Sequence, residues 1–133
     1  NGGIYIYPTL LKRSIGAVRG ERVLSPEISS TLRTIMFHIA EETTAKKARV
    51  KGIEIGGKTG TAEKRGADRR VDKSRNTTVF TGIFPVSAPQ YIIMIMLDEP
   101  QGTTESGGWK TAAWKAVPTA GAILDGIIPL LFE

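Results

Sequence analysis

The spacing of apolar residues predicts a first helix that runs from about Pro26 to Glu41. Ser25 can serve as its N-cap, and Pro26 suits the first helical position. Five apolar residues recur at helical spacing and define one face that should pack against another part of the molecule: Ile28, Leu32, Ile35, Met36 and Ile39.

Three further runs of apolar and β-branched residues predict strands: Ile53 to Ala62, Thr77 to Phe84 and Tyr91 to Leu97. The third run is apolar at every position, which is typical of a strand buried on both faces, so we expect it to be central in its sheet. The short connection from Pro85 to Gln90 is consistent with antiparallel pairing of the second and third strands.

A second helix is expected to begin between Thr111 and Pro118, to end near Pro129 and to turn six apolar side chains toward the sheet: Val117, Ala120, Ile123, Leu124, Ile127 and Ile128. Residues 1 to 24 predict short extended pieces, such as Ile4 to Tyr7, joined by turns at Pro8, Gly16 and Gly20. The pattern as a whole predicts an α+β fold with three antiparallel strands flanked by two main helices, residues 1–133 forming one domain.

The composition is that of a globular protein, with 41% hydrophobic and 23% charged residues. A net charge of +5 would suit a nucleic acid, an anionic membrane surface or an acidic cell-wall polymer, and charge alone does not choose among them. The chain has no cysteine and a single histidine, which excludes thiolate chemistry and a histidine-rich metal site, and no cofactor is expected. His38 has no second histidine or carboxylate at a useful spacing, so we interpret it as a structural residue.

The candidate chemistry lies on the first predicted strand, which contains Gly56-Gly57-Lys58-Thr59-Gly60-Thr61-Ala62-Glu63. Gly60 has no side chain, so the backbone of a substrate can approach closely. Lys58 supplies a positive charge, and Thr59 and Thr61 supply hydroxyl donors. When a serine nucleophile faces such a strand, the strand can align a peptide and bind its carboxylate.

The segment GGKTGTAEK resembles the third motif of class B penicillin-binding proteins, in particular the division-specific transpeptidases. The resemblance covers nearly the whole chain and includes Asn1-Gly2-Gly3, Arg22-Val23-Leu24-Ser25-Pro26-Glu27, Thr81-Gly82-Ile83-Phe84-Pro85, Leu97-Asp98-Glu99-Pro100 and Gly107-Gly108. It implies the penicillin-binding-protein/serine β-lactamase-like fold, with residues 1–133 as the C-terminal portion of a transpeptidase domain. No initiator methionine begins the chain, so we expect upstream sequence, including any anchor, to be missing.

The resemblance also implies roles for individual residues. Lys58 would act in the catalytic hydrogen-bond network, while Thr59, Gly60 and Thr61 would contact the carboxylate of a substrate or β-lactam. The backbone N–H of Thr61 would form half of the oxyanion hole. Trp109 is a candidate wall of the substrate site, although core or cap packing is the interpretation that we favour.

The family's partners are peptidoglycan stem peptides, β-lactam antibiotics, division proteins and a glycosyltransferase. The resemblance also implies action at the periplasmic face of the bacterial inner membrane through an N-terminal anchor, which we expect to be absent from this chain. The implied reaction is acyl transfer: a serine attacks the penultimate D-alanine carbonyl of one stem peptide, and an amine of a neighbouring stem resolves the acyl-enzyme.

The chain departs from the family pattern because none of its serines, at positions 14, 25, 29, 30, 74, 87 and 106, has lysine three residues later. Ser74-Arg75-Asn76 follows the Lys-Thr-Gly strand instead of preceding it, and we interpret it as a chance match. The chain alone is therefore expected to be an inactive fragment of a transpeptidase. The alternative is a noncatalytic module of the same fold that binds peptidoglycan or division proteins, and a serine β-lactamase is disfavoured by the extended resemblance.

Two charged groups receive a structural interpretation. Six basic residues between Lys64 and Arg75 contain no aromatic among them, so we expect a solvated loop and no nucleic-acid partner. Asp98, Glu99 and Glu105 are expected to be surface acids in a loop without a partner.

The family's fifth strand pairs with a strand absent here, so we also expect the isolated chain to self-associate through Tyr91 to Leu97.

Overall fold

The computed structural model describes residues 1–14, 20–43 and 45–132. Gly16, one of the expected turn residues, lies outside them. The helices and strands are, in chain order, β1 (Ile4–Tyr5), β2 (Glu21–Arg22), α1 (Pro26–Glu42), a short 3-10 helix (Lys46–Ala48), β3 (Gly56–Arg65), β4 (Val71–Phe84), β5 (Tyr91–Asp98) and α2 (Ala116–Leu131). Strands β3, β4 and β5 form one antiparallel sheet, and β1 pairs with β2 in a small separate one. The expected α+β architecture of three antiparallel strands and two main helices is confirmed.

Helix α1 forms where the sequence predicts it. The Ser25 hydroxyl accepts a hydrogen bond from the Ile28 N–H at 3.3 Å, and Pro26 occupies the first turn, where no N–H is needed. The expected packing face is only partly used: Met36 and Ile39 are half-buried, and the fully buried residue of the helix is Ala40, which was not assigned to that face. The rest of that face is about half exposed: Ile28, Leu32 and Ile35.

Strand β4 is the central strand of the sheet, and the expectation that Tyr91 to Leu97 would be central and buried on both faces is wrong. β5 lies at the edge, and only one of its faces is covered, through Ile93 in the core below α2. The side chains on the other face are exposed: Ile92 by 75%, Met94 by 62% and Met96 by 64%. A wholly apolar run is therefore not evidence of two buried faces here, because no described element covers the second one.

The strand boundaries differ from the expected ones at β3 and β4. β3 begins at Gly56, while Ile53 forms an isolated bridge with Val50. β4 begins at Val71, so the basic segment from Lys64 to Arg75 is mostly strand and the expectation of a loop is wrong. Polar residues form strand there because they pair across the hairpin, Arg65 with Val71 and Lys64 with Asp72.

The core lies between the sheet and α2. Phe80 and Phe84 of β4 are fully buried with Val117 and Leu124 of α2, and Ala120 is buried in the same cluster. Helix α2 starts within the predicted interval and ends two residues after Pro129. Of the six side chains expected to face the sheet, Ile123 is an exception, since it is 41% exposed and lies outside the core cluster, while Ile127 and Ile128 are half-buried against the core. Within the described residues, no helix has the length and apolar character needed to cross a membrane.

Strand β5 is expected to drive self-association of the 133-residue chain. Among the described residues it pairs only with β4, so alternate backbone N–H and C=O groups along its outer edge have no strand partner. Exposed Ile92, Met94 and Met96 add apolar surface beside that edge. Light scattering should therefore give a mass above the 14.4 kDa of one chain, rising with concentration.

A matched pair of variants tests this expectation. Met94→Lys places a charge on the edge strand and should reduce the association, whereas Leu11→Lys removes a still more exposed apolar side chain far from β5 in the sequence and should not. A monodisperse monomer at every concentration, with a cooperative unfolding transition, would contradict the prediction.

Candidate functional site

The Lys58 to Thr61 segment lies on an exposed edge of the sheet. Strand β3 pairs only with β4 among the described residues, so its other edge is open to a peptide that could add as a further strand. Lys58, Gly60 and Thr61 are exposed and Thr59 is half-buried. The Lys58 Nζ donates a hydrogen bond to the Thr59 carbonyl at 2.6 Å. The structure therefore places all four candidate residues along one accessible stretch of strand.

Gly57 and Gly60 serve different purposes in this strand. A Cβ atom on Gly57 would lie 2.4 and 2.5 Å from two ring atoms of Phe80, which is fully buried in the core. A Cβ atom on Gly60 would meet no atom within 4 Å. Gly57 is therefore required by packing, while the open space at Gly60 is on the accessible side and can admit a ligand backbone.

Thr61 also fastens the loop that follows β5. Its Oγ1 accepts a hydrogen bond from the Ala112 N–H at 3.1 Å, and a hydroxyl that accepts one bond can still donate its own proton. Two more bonds join this loop to β4: the Asn76 Nδ2 donates to the Lys110 carbonyl at 3.3 Å, and the Lys110 Nζ donates to the Ser74 carbonyl at 3.4 Å. The segment just after Trp109 is thus held against the motif strand and its neighbour.

Trp109 is 60% exposed, so the core-packing alternative for this residue is wrong. It lies three residues before Ala112, which is bonded to Thr61, and its own N–H donates to the Ser106 carbonyl at 3.0 Å. Trp114 is different, because the Lys47 Nζ lies 4.0 Å from the centre of its ring in a cation–π contact. Trp109 remains the candidate wall of the site.

Four charged side chains lie where the hairpin meets the end of β5. The Lys64 Nζ is 2.7 Å from one Asp98 oxygen and 2.9 Å from the Glu99 Oε1, and the Arg75 Nη2 is 2.6 Å from the same Glu99 oxygen. The expectation that Asp98 and Glu99 lack partners is wrong, and Asp98 is the last residue of β5 rather than a loop residue. The expected antiparallel pairing of β4 with β5 could have indicated these partners, because it brings Asp98 at the end of β5 beside the basic first part of β4.

The electrostatics of this cluster follow from its geometry. The pKa of Lys64 is raised from its ordinary value of 10.5, chiefly by the hydrogen bond to Asp98 and then by that to Glu99. The pKa of Asp98 is lowered chiefly by Lys64, and the pKa of Glu99 chiefly by Arg75. All four groups are therefore charged together across the neutral pH range.

The remaining candidates lie away from the motif strand. The His38 Nδ1 is 2.9 Å from the Glu42 Oε1, so the interpretation that His38 has no carboxylate at a useful spacing is wrong, although both side chains are exposed. Glu105 lies in the loop after β5. Three cavities of about 300, 330 and 410 Å³ are lined mainly by α1, the segments flanking β3 and β4, and the end of α2, and none is lined by Lys58, Thr61 or Trp109.

Comparison with known families bears directly on the motif strand. A sequence profile described as the penicillin binding protein transpeptidase domain matches residues 1–119. The chain belongs to this family. The match includes β3 with Lys58 and Thr61, β4, β5 and the loop that carries Trp109.

Two curated relatives illustrate how the chain relates to other transpeptidase sequences. It is 38% identical over 141 residues to the probable peptidoglycan D,D-transpeptidase FtsI of Caulobacter vibrioides, covering 98% of this chain and 24% of the relative. It is 34% identical over 127 residues to the peptidoglycan D,D-transpeptidase FtsI of Escherichia coli, covering 95% of this chain and 20% of the relative. The chain thus spans about a quarter or less of the length of these relatives.

A solved transpeptidase structure supports the same fold. The apo TP domain of penicillin-binding protein 3 from Burkholderia pseudomallei superposes with a TM-score of 0.82 at 28% sequence identity. The similarity covers 99% of this chain and 39% of that chain. The arrangement of β3, β4, β5 and the two helices is therefore that of part of a penicillin-binding-protein transpeptidase domain.

Proposed function

We propose that the full-length gene product containing this chain is a peptidoglycan D,D-transpeptidase that cross-links stem peptides by serine acyl transfer and is acylated by β-lactams. The observation that carries the proposal is the open edge of β3, where Lys58 and Thr61 are exposed and the space beside Gly60 is empty. The membership of the chain in the transpeptidase family supports it.

The motif strand would act by aligning the peptide and stabilising charge. A stem peptide adds beside β3 through backbone hydrogen bonds, with the space at Gly60 admitting its main chain. The Thr59 and Thr61 hydroxyls donate to its terminal carboxylate, and the Lys58 ammonium takes part in the hydrogen-bond network of the nucleophile. The Thr61 N–H supplies one donor to the oxyanion that develops on the attacked carbonyl.

The reaction needs a nucleophile, and the serines of this chain lack the family's Ser-x-x-Lys spacing. We infer that a serine elsewhere in the gene product attacks the penultimate D-alanine carbonyl, forming an ester and releasing the terminal D-alanine. An amine of a neighbouring stem peptide then attacks the ester, which forms the new peptide bond and returns the serine hydroxyl. The 133-residue chain therefore provides one side of the active site.

The setting of this activity is also a proposal. Stem peptides become substrates outside the cytoplasm, so we propose that the gene product acts at the periplasmic face of the inner membrane. Division proteins and a glycosyltransferase that supplies the glycan strands are the partners that this role implies. The family resemblance supports these partners and this location.

Labelling with a fluorescent penicillin tests the proposed function. The purified full-length gene product should form a covalent adduct, whereas the 133-residue chain should form none, because β-lactam opening needs the activated serine. Cells treated from outside should show the same labelled band if the location is periplasmic. Absence of an adduct on the full-length protein would contradict the proposed function, and an adduct on the 133-residue chain would contradict the inferred position of the nucleophile.

A further inference from the structure

The turn at Glu99 is where the chain leaves β5 and enters the loop that carries Trp109. Glu99 has φ of 48°, in the left-handed region that residues with a side chain rarely adopt. Its backbone N–H donates to the Asn76 carbonyl at 2.8 Å, and the Gln101 side chain donates to its carbonyl at 2.9 Å. The Glu99 carboxylate accepts from both Lys64 and Arg75. This unusual turn is therefore held through the backbone and through the side chain.

A bulge in β4 brings the Arg75 side chain to this turn. Glu63 pairs with Asn76, but the next residue of β3, Lys64, pairs with Asp72, so Lys73 to Arg75 are extra residues on β4. Bulges re-aim side chains and often lie next to functional sites. Two residues of this bulge contact the loop. Arg75 forms an ion pair with Glu99, and the Ser74 carbonyl accepts a hydrogen bond from the Lys110 Nζ.

The loop is thus fastened at both ends. The charged cluster holds its beginning at Asp98 and Glu99, and Asn76 and Thr61 hold its end at Lys110 and Ala112. Trp109 lies directly before the second fastening and is exposed. Without the ion pairs, the path from Glu99 to Trp109 would be held mainly by the backbone bond from Glu99 to Asn76 and by bonds within the loop around Thr103 and Ser106. It could then shift while the motif strand itself stays paired with β4.

We propose that Lys64, Arg75, Asp98 and Glu99 form a positioning site that sets the place of Trp109 beside β3 and thereby tunes the binding of the stem-peptide substrate. This proposal rests on the proposed function. The four residues are positioning residues and not catalytic ones, because their side-chain hydrogen bonds join β3 and β4 to the end of β5 and the start of the loop, away from Lys58 and Thr61. Their effect should fall on a long peptide that reaches the loop more than on a small β-lactam held by the motif strand.

The four ion-paired side chains should stabilise the loop position only modestly, and this stabilisation should decrease with salt. The four side chains are partly exposed, and exposed ion pairs are individually weak and screened by salt. Glu99 accepts from two cations, Lys64 and Arg75, and it is also the cluster residue that begins the loop. Neutralising it removes the ionic part of both contacts at once.

The test compares Glu99→Gln with Arg70→Gln in the full-length gene product, each in a Trp114→Phe background. Because the rest of the gene product can contain further tryptophans, the Trp109 signal is taken as the difference in fluorescence between each protein and its matching Trp109→Phe variant. Arg70 is on the same hairpin, but its one ionic contact within the described part of the chain is to Asp68 at 3.9 Å. With a synthetic pentapeptide ending in D-Ala-D-Ala, Glu99→Gln should raise KM about fivefold with kcat little changed. The acylation rate with penicillin should change less than twofold, and Trp109 fluorescence should become more accessible to a soluble quencher.

Two further arms keep the result interpretable. High salt should raise KM of the parent protein toward that of Glu99→Gln and leave the variant nearly unchanged. Glu99→Gly accepts the positive φ without strain but has no carboxylate, so it should behave like Glu99→Gln if the ion pairs matter. Thermal unfolding of each variant checks that the fold is intact.

The outcomes separate the two proposals. Unchanged KM and unchanged quenching in Glu99→Gln would overturn the positioning role, and so would an equal effect of Arg70→Gln. A parallel loss of penicillin acylation would overturn it too, because that result indicates general damage to the site. If even the parent protein fails to react with penicillin, the proposed function fails, while the quenching of Trp109 still reports whether the cluster holds the loop.

Discussion

Replacing Lys58 with alanine is expected to reduce penicillin acylation of the full-length gene product by about 10²- to 10⁴-fold, the range typical of a lost proton-transfer group. Lys58 is the only cation in the run from Gly56 to Glu63, and its ammonium lies at the open edge of β3 with a short bond to the Thr59 carbonyl. No neighbouring residue of that run can replace its charge. The measurement is the second-order rate of adduct formation with a fluorescent penicillin.

Lys51→Ala is the matched control for Lys58→Ala. Lys51 is also exposed and lies before β3, where it lines a cavity with Ile128 and Phe132 rather than the motif strand. Its removal should leave the acylation rate unchanged within about twofold, since surface substitutions away from special contacts have small effects. Similar unfolding midpoints for both variants would show that a loss in Lys58→Ala is chemical. An acylation rate in Lys58→Ala close to that of Lys51→Ala would contradict the assigned role.

The helices were predictable because their signals are local. Ser25 and Pro26 mark the start of α1 through the chemistry of a cap and a missing N–H, and neither depends on the rest of the molecule. The spacing of Val117, Ala120 and Leu124 likewise places α2 on the core whatever lies opposite. Ile123 was assigned to the wrong side because an apolar residue at the margin of a helical face carries no signal of its own exposure.

The position of each strand in the sheet was not predictable in the same way. Ile92, Met94 and Met96 have the composition of a buried strand, but burial depends on a second layer that the strand's own sequence does not specify. The first part of β4 has the opposite problem, since a residue such as Asp72 has a low strand propensity and forms strand through its pairing with Lys64 in the hairpin. Tertiary context decided both cases.

The functional site shows the same difference between local signals, which the sequence contains, and tertiary contacts, which it does not. The candidate residues Lys58, Thr59, Gly60 and Thr61 are consecutive, so recognising the motif was enough to place them on one strand. The bond from Ala112 to Thr61 joins residues 51 positions apart, and the Lys64 pair with Asp98 joins residues 34 apart. Contacts of that kind follow from the folded register of three strands, which the spacing of residues in the sequence does not contain.

Replacing Gly57 with alanine is expected to destabilise the 133-residue chain by about 1–3 kcal/mol, the usual cost of an extra methyl group in a packed interior. The new Cβ would lie 2.4 Å from a ring atom of Phe80 and 3.1 Å from the Thr81 carbonyl oxygen. Neither neighbour can move easily, because Phe80 is fully buried and Thr81 is paired with both Lys58 and Met94 in the sheet. Urea unfolding followed by circular dichroism measures the change.

Gly60→Ala is the counterpart in the same strand, and its expected result is the reverse. Its Cβ would meet nothing within 4 Å, so stability should change by less than about 0.5 kcal/mol. In the full-length gene product the same methyl group would occupy the space proposed for the ligand backbone and should slow acylation by penicillin. Adding Phe80→Leu to Gly57→Ala should recover part of the lost stability, since the two sites share one contact and their effects should not add. Equal stability losses for Gly57→Ala and Gly60→Ala would contradict the division of the motif into one glycine for packing and one for ligand approach.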